Sequence, residues 1–252
     1  MGRQQIAALT DFLDRASLRF SHLSSTLPRD GQNHAQYHLI GLNLTINAFA
    51  RSIVALARNG HSVAVSPVLR AMLEAHVDVV NLIRDPGYFY QLRHDYLNRF
   101  LRSMSKPIPG DISMQTAREN GLSAENWLAK LKTEQDNLEA LGYATLKVEE
   151  KFRLADMKLD YFGIYAQLCA ETHNRLDAVW GRLSRDELDA GYAMLGIDHP
   201  QSALEIEMTV SAEILCRTNA ALHQKLETKS QALCADFLLE LRSIWRDTSP
   251  HA

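Results

Sequence analysis

Residues 62–84 decide the fold, and they read SVAVSPVLRAMLEAHVDVVNLIR. Apolar residues recur in this stretch at intervals of three and four, which is the period of an α-helix. Pro67 lies in the first turn of the predicted helix, where its missing N–H donor costs nothing. Because apolar side chains cover almost the whole circumference, we expect a central helix that is surrounded by other helices.

The rest of the chain extends this pattern to an all-α fold. Only 12 glycines and 7 prolines interrupt the 252 residues, and no Asn-Gly turn joins two alternating segments. We predict helices over residues 4–25, 33–58, 62–84, 85–105, 123–141, 147–157, 160–183, 202–227 and 230–247. The expected architecture is therefore an all-α bundle of seven to nine helices.

Two interruptions bear on the domain organisation. The clearer one, Lys106-Pro107-Ile108-Pro109-Gly110, is either a hinge between two subdomains or a tight connection inside one bundle. Both halves of the chain have the same composition, which favours a single domain over residues 1–252. At the other interruption, Asp85 and Pro86 are predicted as the N-cap and first position of the fourth helix.

Composition restricts the class of protein. The chain has 27 Lys and Arg against 30 Asp and Glu, a net charge of −3, and 46% hydrophobic residues, which is typical of a soluble globular protein. Cys169, Cys216 and Cys234 lack the spacing of a metal or redox pair, which favours free thiols in a reducing cytosol. No export or lipidation signal and no sufficiently apolar span is apparent, so we expect a cytoplasmic protein without a membrane partner.

Two charged residues of the predicted central helix are the first candidates for a site. Arg70 and Glu74 lie one turn apart, on the same side as Asn81. In a central helix this pair is partly buried and needs partners, because an unpaired buried charge is costly. The alternative is a solvated surface pair, although Arg before Glu is the less favourable order at this spacing.

A histidine on the predicted helix 160–183 is the second candidate. His173 lies at the margin of an apolar arc that also contains Phe162, Tyr165 and Trp180. Its imidazole is either a hydrogen-bonded core group or the proton-active member of a groove. Tyr165 and Trp180 would line a small-molecule pocket between helices, for which the residues specify no ligand.

Several familiar kinds of site are not indicated. His34 and His38 have the i, i+4 spacing of two metal ligands, but no third ligand accompanies them, so we predict no metal. The chain contains no glycine-rich phosphate loop, no G-x-S-x-G elbow and no Cys-His zinc pattern. We therefore predict no cofactor, and the classical hydrolase and kinase classes are unsupported.

Three stretches carry a resemblance to known proteins: RSIVALARNG at 51–60, VLRAMLEA at 68–75 and YAQLCAETH at 165–173. They resemble uncharacterised bacterial helical domains that share a Leu-Arg-x-x-x-Glu helix followed by a distant Tyr and His. Those domains are regarded as relatives of the HEPN superfamily, and the resemblance spans residues 39–183. It implies a HEPN-like helical core, often dimeric, of the kind found in toxin–antitoxin and phage-defence systems.

Some HEPN proteins are metal-independent ribonucleases with an Arg and a His separated by four to six residues. This spacing occurs here at Arg15–His22, Arg29–His34, Arg70–His76, Arg217–His223 and Arg246–His251. About two such pairs are expected by chance, so the spacing alone identifies no site. Only Arg217 combines a following polar residue of the expected kind, Thr218, with a position on a late helix of the bundle at a groove. Arg70 and His76 lie about 120° apart around their helix.

We therefore expect a homodimeric, HEPN-like bundle that acts on or with RNA or a partner protein in a bacterial stress or defence setting. If it is an enzyme, the expected chemistry is metal-independent RNA cleavage. His173 is then the general acid/base, Arg70 stabilises phosphate charge and Glu74 orients Arg70. The alternative is a non-catalytic scaffold in which these residues and Tyr165 form a buried network and function lies in a protein interface.

Overall fold

The computed structural model describes residues 2–27, 32–104, 124–173 and 201–248. Within these ranges the chain forms nine helices and no strand, which confirms the all-α prediction. The helices are α1 Gly2–Ser25, α2 His34–Arg58, α3 Val65–Arg84, α4 Tyr88–Met104, α5 Ala124–Ala140, α6 Val148–Leu154, α7 (Lys158–Asp160, Tyr161–Tyr165 and Ala166–Thr172 in succession), α8 Gln201–Lys225 and α9 Gln231–Thr248.

The main hydrophobic core lies between α1, α2, α3 and α8, and α9 packs against α1 and α8. Helix α3 contacts α2, α4, α6, α7 and α8, so it is the central helix that its apolar circumference predicts. Its side chains Val65, Leu69, Met72 and Val79 are completely inaccessible to solvent. This position places any polar side chain of α3 next to another helix.

Buried amides connect three of the core helices. Asn43 of α2 donates to the Ser24 hydroxyl of α1 at 2.6 Å and to Oδ1 of Asn219 in α8 at 3.1 Å. The Asn219 amide lies 3.5 Å from Oδ1 of Asn47. Because buried polar groups need partners, these bonds fix how α1, α2 and α8 pack against one another.

Helices α4 and α5 form a smaller, second core. Its buried members are Leu97, Leu131 and Leu138. Arg93 of α4 makes two hydrogen bonds to Glu134 of α5, at 2.7 and 2.8 Å. Helix α4 also contacts α2 and α3, which joins this pair to the main bundle. The predicted interruption at residues 106–110 lies outside the described residues.

The start of α4 differs from its prediction. Asp85 does accept a hydrogen bond from the Gly87 N–H at 2.8 Å, as a capping residue does. The next bonds, however, run from Tyr88 to Asp85 and from Phe89 to Pro86, which is the i, i+3 pattern of a 3₁₀ turn. The α-helix therefore begins at Tyr88 and not at the predicted Pro86, because the first turn is tighter than an α-helical turn.

Helix α7 contains a π-helical turn. The Ala166 N–H donates to the Tyr161 carbonyl, five residues earlier. A period of 3.6 residues does not hold across such a turn. Tyr165 is consequently 5% exposed, whereas Phe162, which regular periodicity places on the apolar arc, is 58% exposed. The prediction for Phe162 was wrong for this reason, and the continuation of the predicted helix beyond His173 lies outside the described residues.

Helix α2 is, within the described ranges, the one helix that is long and apolar enough to cross a bilayer by length and composition. Its buried side chains, among them Leu39, Ile46 and Ile53, belong to the main core. The buried side of α2 packs against α1 and α3.

Candidate functional site

Four of the predicted site residues meet between α3 and the end of α7. Arg70 and Glu74 project from α3, Tyr165 belongs to the π-helical turn, and His173 follows the last residue of α7. Nη1 of Arg70 lies 3.2 Å from Nε2 of His173, although 103 positions separate them in the sequence. We call Arg70, Glu74, Tyr165 and His173 the Arg70 centre.

Arg70 is held from two sides within this centre. The Tyr165 hydroxyl donates to Oε1 of Glu74 at 2.8 Å and accepts from Nη2 of Arg70 at 3.4 Å. Nε of Arg70 lies 3.2 Å from the same Glu74 oxygen, which makes an i, i+4 ion pair. The guanidinium carbon is also 5.5 Å from the centroid of the Tyr165 ring, within cation–π range.

The Arg70 centre lies at the boundary between the core and the solvent. The Arg70 side chain is 23% exposed and that of Glu74 is 41% exposed, while His173 is exposed. Arg70 is therefore largely shielded from solvent, as expected for a buried pair. Glu74 contacts solvent, as expected for a surface pair. Burial and the neighbouring Glu74 carboxylate raise the pKa of the Tyr165 phenol despite the opposing effect of Arg70, so the hydroxyl remains a donor at neutral pH.

The contact with Arg70 assigns the tautomer of His173. A guanidinium is always a donor, so Nε2 of His173 accepts and the ring proton lies on Nδ1. The exposed side of the ring is open to solvent. An imidazole in this position can accept and return a proton.

Glu74 also lines a cavity of about 180 Å³ that the sequence interpretation did not identify. The charged residues of its wall are Glu74 and Asp78 of α3, Asp95 and Arg99 of α4, and Lys151 of α6. Nζ of Lys151 lies 3.4 Å from Asp78 and 3.5 Å from Asp95. A signal for Asp78 exists in the sequence, because it lies one turn after Glu74 on the same side of α3.

Two of the Arg–His pairs with this spacing contain a histidine that belongs to the core. His76 is buried with Nδ1 2.7 Å from the Thr218 hydroxyl, and burial lowers the pKa of its imidazole to about 4. Nδ1 of His223 lies 2.7 Å from the Thr228 hydroxyl, and burial lowers the pKa of this ring as well. Arg217 is exposed and forms an ion pair within its own helix. These contacts give both imidazoles a structural role.

The two histidines of α2 contact an aromatic ring. His34 stacks on Phe89 with a centroid distance of 5.7 Å, and His38 meets the same ring at 6.0 Å. In the part of the chain that the structure describes, no three His, Cys, Asp or Glu side chains gather as metal ligands.

Tyr165 and Trp180 are the two residues that the sequence predicts to line a small-molecule pocket. The Tyr165 ring packs on Phe152 and Tyr161, with centroid distances of 5.0 and 5.5 Å. Trp180 lies outside the described residues. Tyr165 therefore belongs to the Arg70 centre and to the packing of α6 against α7.

The comparison with protein families places the chain. A family model described as "Family of unknown function (DUF5677)" matches residues 36–191. The matched segment contains every residue of the Arg70 centre and all five charged residues of the cavity. No curated protein and no solved structure matches the chain significantly. Because the family model covers more than half of the sequence, the protein belongs to the DUF5677 family.

Proposed function

We propose that the Arg70 centre is the acid–base site of a HEPN-like, metal-independent ribonuclease that acts in a bacterial stress or defence setting. The main support is the 3.2 Å contact between the Arg70 guanidinium and the exposed His173 imidazole. RNA cleavage needs a cation for the phosphate oxygens and a base for the ribose 2′-hydroxyl. Arg70 and His173 supply one of each at the same point of the surface.

In this mechanism, Arg70 turns from Nε2 of His173 to a non-bridging phosphate oxygen and stabilises the negative charge of the transition state. The released Nε2 takes the proton of the 2′-hydroxyl, and that oxygen attacks the adjacent phosphorus. The bond from phosphorus to the 5′-oxygen of the next nucleotide breaks, and His173 returns the proton to this oxygen. The products are a 2′,3′-cyclic phosphate and a free 5′-hydroxyl.

Glu74 and Tyr165 are positioning residues in this proposal. Glu74 pairs with Nε of Arg70 and so holds the side chain while Nη1, which contacts His173, turns to the phosphate. Tyr165 ties the same carboxylate to α7 and so holds the helix that presents His173. The proposal includes a cytoplasmic homodimer, which the composition and the resemblance predict and which does not depend on the geometry of the centre.

Cleavage of a mixed RNA pool by the purified full chain, with EDTA present, tests the proposal. We expect products with 2′,3′-cyclic phosphate ends, and a loss of at least about 100-fold in rate for His173→Gln. The matched control is His61→Ala, because His61 is exposed and lies outside the centre. Intact RNA with the wild-type chain, or equal cleavage by the His173 variant, would reject the ribonuclease.

The hydrogen bonds of Tyr165 to Arg70 and Glu74 support a second candidate, a non-catalytic scaffold that acts through a partner protein. The Tyr165 hydroxyl bonds both Arg70 and Glu74, and Tyr165 is only 5% exposed. Such a network would fix α7 on α3. If the scaffold is correct, Arg70→Ala and Glu74→Ala each lower the melting temperature severely, and no variant changes an RNA pool. If the ribonuclease is correct, Arg70→Ala stays folded and loses cleavage.

A further inference from the structure

The cavity beside Glu74 carries four charged residues that the proposed RNA cleavage does not use, Asp78, Asp95, Arg99 and Lys151. Three carboxylates and two cations line a space of about 180 Å³, roughly the volume of six water molecules. Pockets for drug-sized ligands are larger, at about 300 to 1,000 Å³. The space therefore suits a molecule of few heavy atoms that carries charge.

One part of the wall offers free carboxylate oxygens. Oδ1 of Asp78 accepts from the Tyr88 hydroxyl at 2.7 Å and from Lys151 at 3.4 Å, whereas its Oδ2 makes no hydrogen bond within the described ranges. Glu74 uses Oε1 for Arg70 and Tyr165, and its Oε2 likewise has no partner in that part of the chain. Two carboxylates are thus able to accept from an ammonium group.

Another part of the wall offers a cation. Nε of Arg99 donates to the backbone carbonyl of Asp95 at 3.3 Å, and no carboxylate of the described residues pairs with its guanidinium. Lys151, in contrast, is shared between Asp78 and Asp95, which neutralises it. Arg99 is therefore the cation that an incoming anionic group would meet.

We propose that this cavity binds a small zwitterion. The ammonium group lies at Glu74 and Asp78, the carboxylate lies at Arg99, and a short methylene chain packs against the Val77 and Phe152 side of the wall. A ligand with the ammonium alone leaves Arg99 unpaired, and one with the carboxylate alone meets two like charges. Both mismatches weaken binding in a partly desolvated cavity.

Titration calorimetry on the full chain tests this assignment with small probes that differ in charge and in length. The zwitterions are glycine, 3-aminopropanoate and 4-aminobutyrate, which vary the distance between the two charges. Butylamine and butyrate carry one charge each on the longest skeleton. We expect at least one zwitterion to bind at least about tenfold more tightly than either single-charge probe. The ribonuclease proposal plays no part in this readout.

Variants then locate the site. Arg99→Gln is expected to lower the affinity for the preferred zwitterion at least about tenfold while leaving that for butylamine unchanged. Asp78→Asn should weaken both. Arg153→Gln is the control, because Arg153 is exposed on α6 and lies outside the cavity wall. Circular dichroism checks that each variant is folded.

Four results would overturn the assignment. They are no binding of any zwitterion at millimolar concentration, equal binding of butylamine, equal binding of butyrate, and an unchanged affinity in Arg99→Gln. The second result would indicate an amine site and the third an anion site. If Asp78→Asn does not fold, Arg99→Gln decides alone, because Arg99 is an exposed residue whose replacement leaves the core intact.

Discussion

The hydrogen bond from Tyr165 to Glu74 makes the strength of the Arg70 centre measurable. Tyr165→Phe removes the hydroxyl and keeps the ring that packs on Phe152 and Tyr161. Glu74→Gln keeps the shape of the side chain and removes its charge. A double-mutant cycle of these two changes isolates their interaction from the other effects of each change.

The structure sets the expected magnitude. The bond is 2.8 Å long and its acceptor is charged, and such bonds contribute about 1.5 to 3 kcal/mol. Glu74 is 41% exposed, however, and solvent reduces the value of a charged contact. We therefore expect a coupling free energy of about 1 kcal/mol. Each single variant should melt roughly 2 to 4 °C lower for every kcal/mol that it loses.

Urea unfolding of the four proteins at neutral pH, followed by circular dichroism, gives the coupling free energy. The control cycle uses Lys132 and Asp136 of α5, an i, i+4 pair with a distance of 2.9 Å in which both side chains are more than half exposed. Its coupling should be smaller than that of Tyr165 and Glu74, because solvent screens the charges of an exposed pair. A Tyr165–Glu74 coupling no larger than that of the control would show that the centre is not a connected network in solution.

Three further predictions concern the core, and urea unfolding measures each. Burial lowers the pKa of His76 to about 4 from an ordinary value of 6.5, so the unfolded chain binds the extra proton. The free energy of unfolding of the wild-type chain should therefore fall by about 3 kcal/mol as the pH decreases from about 6.5 to about 4. The fall should be smaller in His76→Gln and the same in His61→Ala. Equal falls in all three chains would contradict this. Leu69 is fully buried, so Leu69→Ala should lower the free energy of unfolding by about 2 to 5 kcal/mol. Leu18 is 52% exposed, so Leu18→Ala should lower it by less than about 0.5 kcal/mol. Similar losses in the two variants would argue against the central position of α3. Asn43→Ala should cost about 1 to 3 kcal/mol because its buried partners lose their bonds, and an unchanged stability would be inconsistent with the amide network.

Periodicity was sufficient to predict the all-α class and the central position of α3, but not the start of α4 or the winding of α7. The resemblance to domains with a Leu-Arg-x-x-x-Glu helix followed by a distant Tyr and His linked Arg70 and Glu74 to His173. The need of a buried charge for a partner supported that link. The structure brings these groups together. Whether they form a site or a structural network is a question of reactivity, which periodicity does not address.

The cavity was not predictable in the same way. Asp95 and Lys151 lie on different helices, and no spacing along the chain relates either residue to Asp78. Only the packing of α4 and α6 against α3 brings them within reach. The misplaced Phe162 has a different cause, since a single period cannot describe a helix whose winding changes part-way along.

The π-helical turn has a consequence for how α7 tolerates changes of length. A turn of this kind accommodates one surplus amino acid while the flanking segments keep their orientation. Deleting a residue between Tyr161 and Tyr165 would restore uniform winding and leave His173 opposite Arg70. The same deletion between Ala166 and Thr172 would rotate the imidazole by about 100° around the helix axis, away from its partner. Homologous chains that differ in length are therefore expected to gain or lose a residue before Ala166, and not after it.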